Sequence, residues 1–147
     1  MSAVVVAARS WIGTPYVHQA SVRGAGTDCL GLIRGVWRQL YGAEPEVVPA
    51  YSRDWAEPQG EEVLASAAER HLRSKSMDAS YVAGEVLLFR MRDGSIAKHL
   101  GIVAEAESMP TFVHAYSGHG VIETPLSDPW RRRIAGRFEF PDLTEGL

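Results

Sequence analysis

The sequence predicts an α+β fold, with N-terminal helices packed on an antiparallel β-sheet. Two observations carry this. Up to about residue 72 the apolar residues recur at helical spacing, and from Gly84 onward they fall into short strand-like runs. Those runs are punctuated by the turn sequences Asp93-Gly94-Ser95 and Ser117-Gly118-His119-Gly120. Helices first, then consecutive strands joined by tight turns, argue for an antiparallel sheet rather than alternating βαβ units. The 147 residues show no internal repeat or composition break and fit one domain, residues 1–147, with one core.

The elements follow in order. Residues 3–11 read as an amphipathic helix with Trp11 on its buried face, stopping before Gly13. Thr14 to Thr27 read as a loop, broken by Pro15, Gly24 and Gly26. A second helix is expected from about residue 29 to residue 41, ending at Gly42. Asp28 is its N-cap, because a carboxylate there accepts N–H bonds from the first turn. Ala43 to Pro58 is rich in proline and reads as extended connection. Glu61 to Leu72 carries Val63, Leu64, Ala67, Ala68 and Leu72 at helical period. Strands are expected at Gly84–Met91, Ala97–Ala104, Thr111–Tyr116, Val121–Thr124 and Ile134–Phe140.

Composition excludes several classes. Apolar residues make up 46% of the chain, and the net charge is −3, so nothing in the bulk electrostatics favours nucleic acid. A single cysteine rules out an internal disulfide and any zinc site built from several cysteines. No apolar run approaches the ~18–20 residues of a membrane span. The N-terminal stretch Met1 to Trp11 has no positive residue before its short apolar run, so it lacks the layout of a secretory signal peptide.

The one cysteine, Cys29, follows the glycine-rich Arg23-Gly24-Ala25-Gly26-Thr27 and opens the second helix. A thiol at a helix N-terminus faces unpaired N–H groups and the positive end of the dipole, and both favour thiolate. Gly31 is small enough to let a substrate backbone come close. His99, in Lys98-His99-Leu100-Gly101-Ile102-Val103, falls on the strand face opposite Leu100 and Ile102. His114 follows fifteen residues later in Phe112-Val113-His114-Ala115-Tyr116. If the two strands are neighbours, the imidazoles meet, and His114 holds His99 in the correct tautomer. The set points to a cysteine nucleophile with a histidine base.

The other candidates are weaker. Tyr16 can donate its hydroxyl to an oxyanion beside the Cys29 N–H. His18 lines the cleft, and together with Asp28 it is assigned to substrate binding. His71 sits at a helix end and His119 in a glycine turn. No histidine pair has short ligand spacing, so no metal is expected. Trp130 with Arg131-Arg132-Arg133 offers a partner-docking surface.

Four motifs, Trp11-Ile12-Gly13-Thr14-Pro15-Tyr16, Asp28-Cys29-Leu30-Gly31, His99-Leu100-Gly101-Ile102 and His114, together resemble the NlpC-type cell-wall peptidases. The resemblance covers roughly residues 5–140. It implies a papain-like α+β fold, with Cys29 as nucleophile, His99 as general base, His114 as third polar residue and Tyr16 as the tyrosine of the loop motif. The implied substrate is the peptide stem of peptidoglycan, cut between D-glutamate and the following diamino acid, without metal or organic cofactor. The stretch His18-Gln19-Ala20-Ser21-Val22-Arg23 is similar to the subgroup carried by phages and gene transfer agents, which implies a virion or phage-like tail particle as location and tail or hub proteins as partners. Leu30 stands where the family usually has serine, which bears on the cleft lining. The rival readings are an amidase or acyltransferase on the same fold, and a structural tail-hub module with a vestigial site.

Overall fold

The computed structural model describes residues 2–45, 63–91 and 97–141. Its first helix, α1 (Ala3–Arg9), starts where the Ser2 hydroxyl accepts a bond from Val5 N at 3.4 Å. It buries Val5, Ala7 and Ala8. The chain then turns and inserts Trp11, only 2% exposed, against the second helix. A Cβ at Gly35 would lie 2.0 Å from the Trp11 ring, so glycine at 35 is what lets the indole in. The indole N–H donates to Gln39 Oε1 at 2.6 Å.

The expected loop at 14–27 contains a small ribbon that the sequence did not announce. Strands β1 (Ser21–Val22) and β2 (Gly26–Thr27) pair antiparallel. The second helix, α2 (Cys29–Tyr41), has the predicted bounds, with Asp28 as N-cap and Gly42 at φ 91° beyond its end. Helix α3 (Val63–His71) falls within the expected segment. Residues 46–58 of the expected connection, Glu61 and Glu62, and the turn Asp93-Gly94-Ser95 lie outside the described residues.

The main sheet has six strands. They are β3 (Arg73–Ser74), β4 (Val86–Phe89), β5 (His99–Val103), β6 (Thr111–Tyr116), β7 (Gly120–Pro125) and β8 (Ile134–Glu139), in spatial order β3-β8-β4-β5-β6-β7. Every pairing is antiparallel, as expected. β3 and the short helix α4 (Asp128–Arg131) were not expected. The Ser117–Gly120 turn does join β6 to β7, with Gly118 and Gly120 at positive φ.

Both faces of the central strands are covered. Val86, Leu88, Leu100, Ile102, Val113 and Ala115 pack against the helices. Leu87, Phe89, Val103 and Phe112 form a second cluster with Leu126, edged by Trp130. This explains the unbroken apolar run Val-Leu-Leu-Phe in β4: a strand buried on both sides has no polar face to alternate with. His99 points to the second face, opposite Leu100 and Ile102, as predicted.

Candidate active site

Cys29 and His99 are the first residues of α2 and β5. They therefore come together at the ends of their elements, not across a shared face. The Cys29 sulfur lies 3.6 Å from the carbonyl oxygen of Lys98, the residue preceding His99. The thiol donates to that carbonyl in this state, and turning about the Cβ–Sγ bond redirects its proton.

The loop before Cys29 is held by a dense set of local bonds. Asp28 Oδ1 accepts from Gly31 N at 2.7 Å, and Oδ2 accepts from Gln19 N at 2.7 Å. His18 Nδ1 lies 3.9 Å from Asp28 Oδ2. The Asp28 carboxylate, expected among the substrate contacts, is 2% exposed and ties loop to helix instead. His18 remains half-buried beside it. Gly31 also differs from expectation. A Cβ there would sit 2.0 Å from the Ala20 carbonyl, so the space over it belongs to the protein's own loop rather than to a substrate. Thr27 is clasped by Pro15 O and Val17 N, and Tyr16 bridges to it, which fixes the tyrosine alongside the segment leading into Cys29.

The two histidines meet. His99 Nε2 and His114 Nδ1 are 2.8 Å apart, across the neighbouring strands β5 and β6. His114 Nε2 lies 2.8 Å from Thr124 Oγ1 on β7. His114 is fully buried and His99 is 7% exposed. With Nε2 engaged, Nδ1 is the nitrogen of His99 left for the thiol.

Burial sets the charge state. It pulls His99 down to about 4. It also pulls His114 down to about 3, with the neighbouring imidazoles of His99 and His119 adding to the effect. Burial, followed by the Asp28 carboxylate, pushes the Cys29 thiol up to about 12, while backbone N–H groups of Leu100, Leu30 and Cys29 pull the other way. These shifts run against the expectation of a thiolate from the helix dipole and favour a neutral thiol beside neutral imidazoles.

An aromatic shell surrounds the pair. The Trp130 ring lies 5.7 Å from His99, 5.2 Å from His114, 5.3 Å from Phe89 and 5.1 Å from Phe112. Tyr116 stands 5.8 Å from His99 and stacks on His119 at 5.3 Å. Trp130, expected on a docking surface, thus packs over the histidine pair. Two of its basic neighbours, both exposed, are tied to backbone carbonyls: Arg131 Nε donates to Leu126 O at 2.9 Å and Arg133 Nε to Met91 O at 3.2 Å. Sequence reasoning missed Thr124 and this role of Trp130. Among the described residues no group of three or more histidine, cysteine, aspartate or glutamate side chains is placed to hold a metal, and no helix is long and apolar enough to cross a membrane.

The sequence profile of the NlpC/P60 family matches residues 13–138. The chain is 28% identical over 125 residues to the murein DD-endopeptidase MepS/murein LD-carboxypeptidase of Escherichia coli K12, covering 84% of this chain and 54% of that protein. It is 30% identical over 142 residues to the gamma-DL-glutamyl hydrolase of Bacillus subtilis 168, covering 96% of this chain and 30% of that protein. The chain thus spans about half the length of the first relative and under a third of the second. Among solved structures, the NlpC/p60 domain of the peptidoglycan hydrolase SagA superposes with a TM-score of 0.56 at 26% identity, covering 95% of this chain and 97% of that one. An NlpC/P60 family protein of Bacillus cereus gives a TM-score of 0.63 at 17% identity, covering 95% and 40%, and so supports the fold alone.

Proposed function

Because the chain belongs to the NlpC/P60 family, we propose that it is a thiol hydrolase of peptidoglycan stem peptides, cutting the amide between D-glutamate and the following diamino acid. The observation that carries the chemistry is the 2.8 Å bond between His99 and His114, which leaves one ring nitrogen of His99 for the cysteine beside it.

The reaction begins from the neutral pair. The Cys29 thiol swings from the Lys98 carbonyl toward His99 Nδ1. Sulfur attacks the amide carbon as its proton passes to Nδ1, so charge separates only as the new C–S bond forms. The oxyanion is met by the Cys29 N–H, whose first-turn position leaves it no intrahelical acceptor, and by the Tyr16 hydroxyl. His99 then protonates the leaving amine. Water, deprotonated by the same nitrogen, hydrolyses the thioester.

Mass spectrometry of purified muropeptides after incubation with the protein tests the bond. The expected products end in D-glutamate. Products of another cleavage, or transfer of the acyl group to an added amine, would replace this reading with an amidase or acyltransferase. We further propose that the enzyme is made in the cytoplasm and delivered by a phage-like tail particle. The support is the similarity of the His18–Arg23 loop to tail-associated members of the family. Particles purified from the source should contain the chain, and their lacking it would end that part of the proposal.

A further inference from the structure

We propose that Thr124 is a positioning residue: by accepting a hydrogen bond from His114 Nε2, it holds both imidazoles in the arrangement that lets His99 take the Cys29 proton. The rate argument rests on the thiol-hydrolase reading above. The tautomer argument stands on geometry alone.

A neutral imidazole carries one N–H and one lone pair. The 2.8 Å contact between His99 Nε2 and His114 Nδ1 therefore has two solutions. In one, His114 Nδ1–H donates to His99 Nε2. His99 then carries its proton on Nδ1 and has no lone pair to offer the thiol. In the other, His99 Nε2–H donates to His114 Nδ1, and His99 Nδ1 is free to act as a base. The second solution puts the His114 proton on Nε2. His114 is fully buried, and a buried N–H needs an acceptor. Thr124 Oγ1, at 2.8 Å, is the acceptor the fold supplies.

The requirement becomes strict during reaction. Once His99 holds the thiol proton it has two N–H groups, so its Nε2 can only donate. His114 Nδ1 must then accept, His114 Nε2–H must donate, and Thr124 must accept. No other ordering of protons satisfies the chain. A side chain without the hydroxyl leaves the neutral pair a choice of tautomers but leaves the charged pair with an unpaired buried donor. The sequence could not point to Thr124 by motif. The register does, since His114 pairs with Ile122 and Thr124 lies two residues further along β7.

Nitrogen-15 NMR of the wild-type protein at neutral pH should find both His99 and His114 protonated on Nε2 and bare on Nδ1. Thr124→Val should lower kcat on purified muropeptides about 10- to 100-fold, the scale of one buried donor left unpaired, with KM little changed. Thr124→Ser should restore it to within about threefold. Reversed tautomers in the wild type, an unchanged kcat in Thr124→Val, or a loss that persists in Thr124→Ser would each overturn the proposal. If the valine variant fails to fold, the wild-type spectrum and the serine variant still decide. If muropeptides are not cleaved at all, the function proposal fails while the NMR result still settles the role of Thr124.

Discussion

Two polar clusters are buried on one face of the sheet, and they differ in how completely their bonds are made. Arg137 lies opposite Leu87, which puts it on the same face as His99 and His114. Its guanidinium pairs with Glu85 through Nε and Nη2, both at 2.9 Å. It also donates to the carbonyls of Ser76, Met77, Ala79 and Ser80, and its plane lies over Tyr81. Glu85 accepts in addition from Val82 N and Lys75 Nζ. All three guanidinium nitrogens are engaged and both charges are matched. The His99–His114–Thr124 chain is uncharged and has one nitrogen left over. A saturated cluster can only hold the segment 76–80 in place. A cluster with one unsatisfied lone pair, set beside a thiol, can exchange a proton.

Breaking each cluster should move opposite observables. Cys29→Ala should abolish muropeptide cleavage, by at least about 10⁴-fold, since removing the nucleophile removes the covalent route. Its urea midpoint should stay near that of the wild type. Turnover that survived the substitution would end the thiol mechanism. Arg137→Ala should do the reverse. It takes the closer of two cations from the buried Glu85 carboxylate, leaving Lys75 Nζ and Val82 N, a loss of up to about 3 kcal/mol by chemical denaturation, while the folded fraction keeps kcat within about threefold. If Arg137→Ala instead lowered kcat as far as a histidine substitution, the division between the clusters would be wrong.

The same contrast shows how much was legible in the sequence. Helix α2 could be bounded in advance because its ends carry local chemistry, an aspartate cap and a glycine beyond the last turn. Strand β6 and the face of His99 followed from alternation. Cys29, His99 and His114 were identified as residue types at suggestive places, and their strand pairing brought the histidines together. Thr124 was invisible because a threonine in a strand is ordinary, and only the register gives it a partner. Trp130 was misplaced because an aromatic beside three arginines reads as surface until the short α4 folds it onto the sheet. The thiol departs from expectation for a different reason. Sequence shows the helix start but not the desolvation of the sulfur or the Asp28 charge beside it, both of which push the thiol up. The Glu85–Arg137 pair gave no sequence signal, since its partners are 52 residues apart.

Acid should separate the clusters next. His99 and His114 are held neutral, at about 4 and about 3, whereas in the unfolded chain they titrate near their ordinary 6.5. Below pH 6.5 the unfolded chain binds protons that the fold refuses. Stability is therefore full above that pH and is lost as pH falls toward 4, by up to about 1.4 kcal/mol per pH unit for each histidine. His114→Gln should flatten this slope, measured by urea unfolding between pH 4 and 7. Arg137→Ala removes neither imidazole, so the loss set by the histidines should remain while the curve is lowered at neutral pH. Activity obeys the same sign: kcat/KM should persist down to about pH 4, where His99 protonates, and an acid limb near 6.5 would contradict a buried neutral base.

The smallest expected effect lies at the junction between loop and Cys29. The Asp28 carboxylate caps α2 and, after burial, is the second cause of the raised thiol. Asp28→Asn keeps an oxygen for Gly31 N but sets an amide N–H₂ against Gln19 N, so one of the two bonds is lost. The cost should be about 1 kcal/mol of stability, the usual scale of a weakened cap. Removing the charge also removes its repulsion of a developing thiolate. The variant should therefore be alkylated faster by iodoacetamide at pH 8 than the wild type, whose half-buried thiol lies beside the carboxylate. An alkylation rate unchanged or lowered in Asp28→Asn would mean that the carboxylate does not act on sulfur and that burial alone keeps Cys29 protonated.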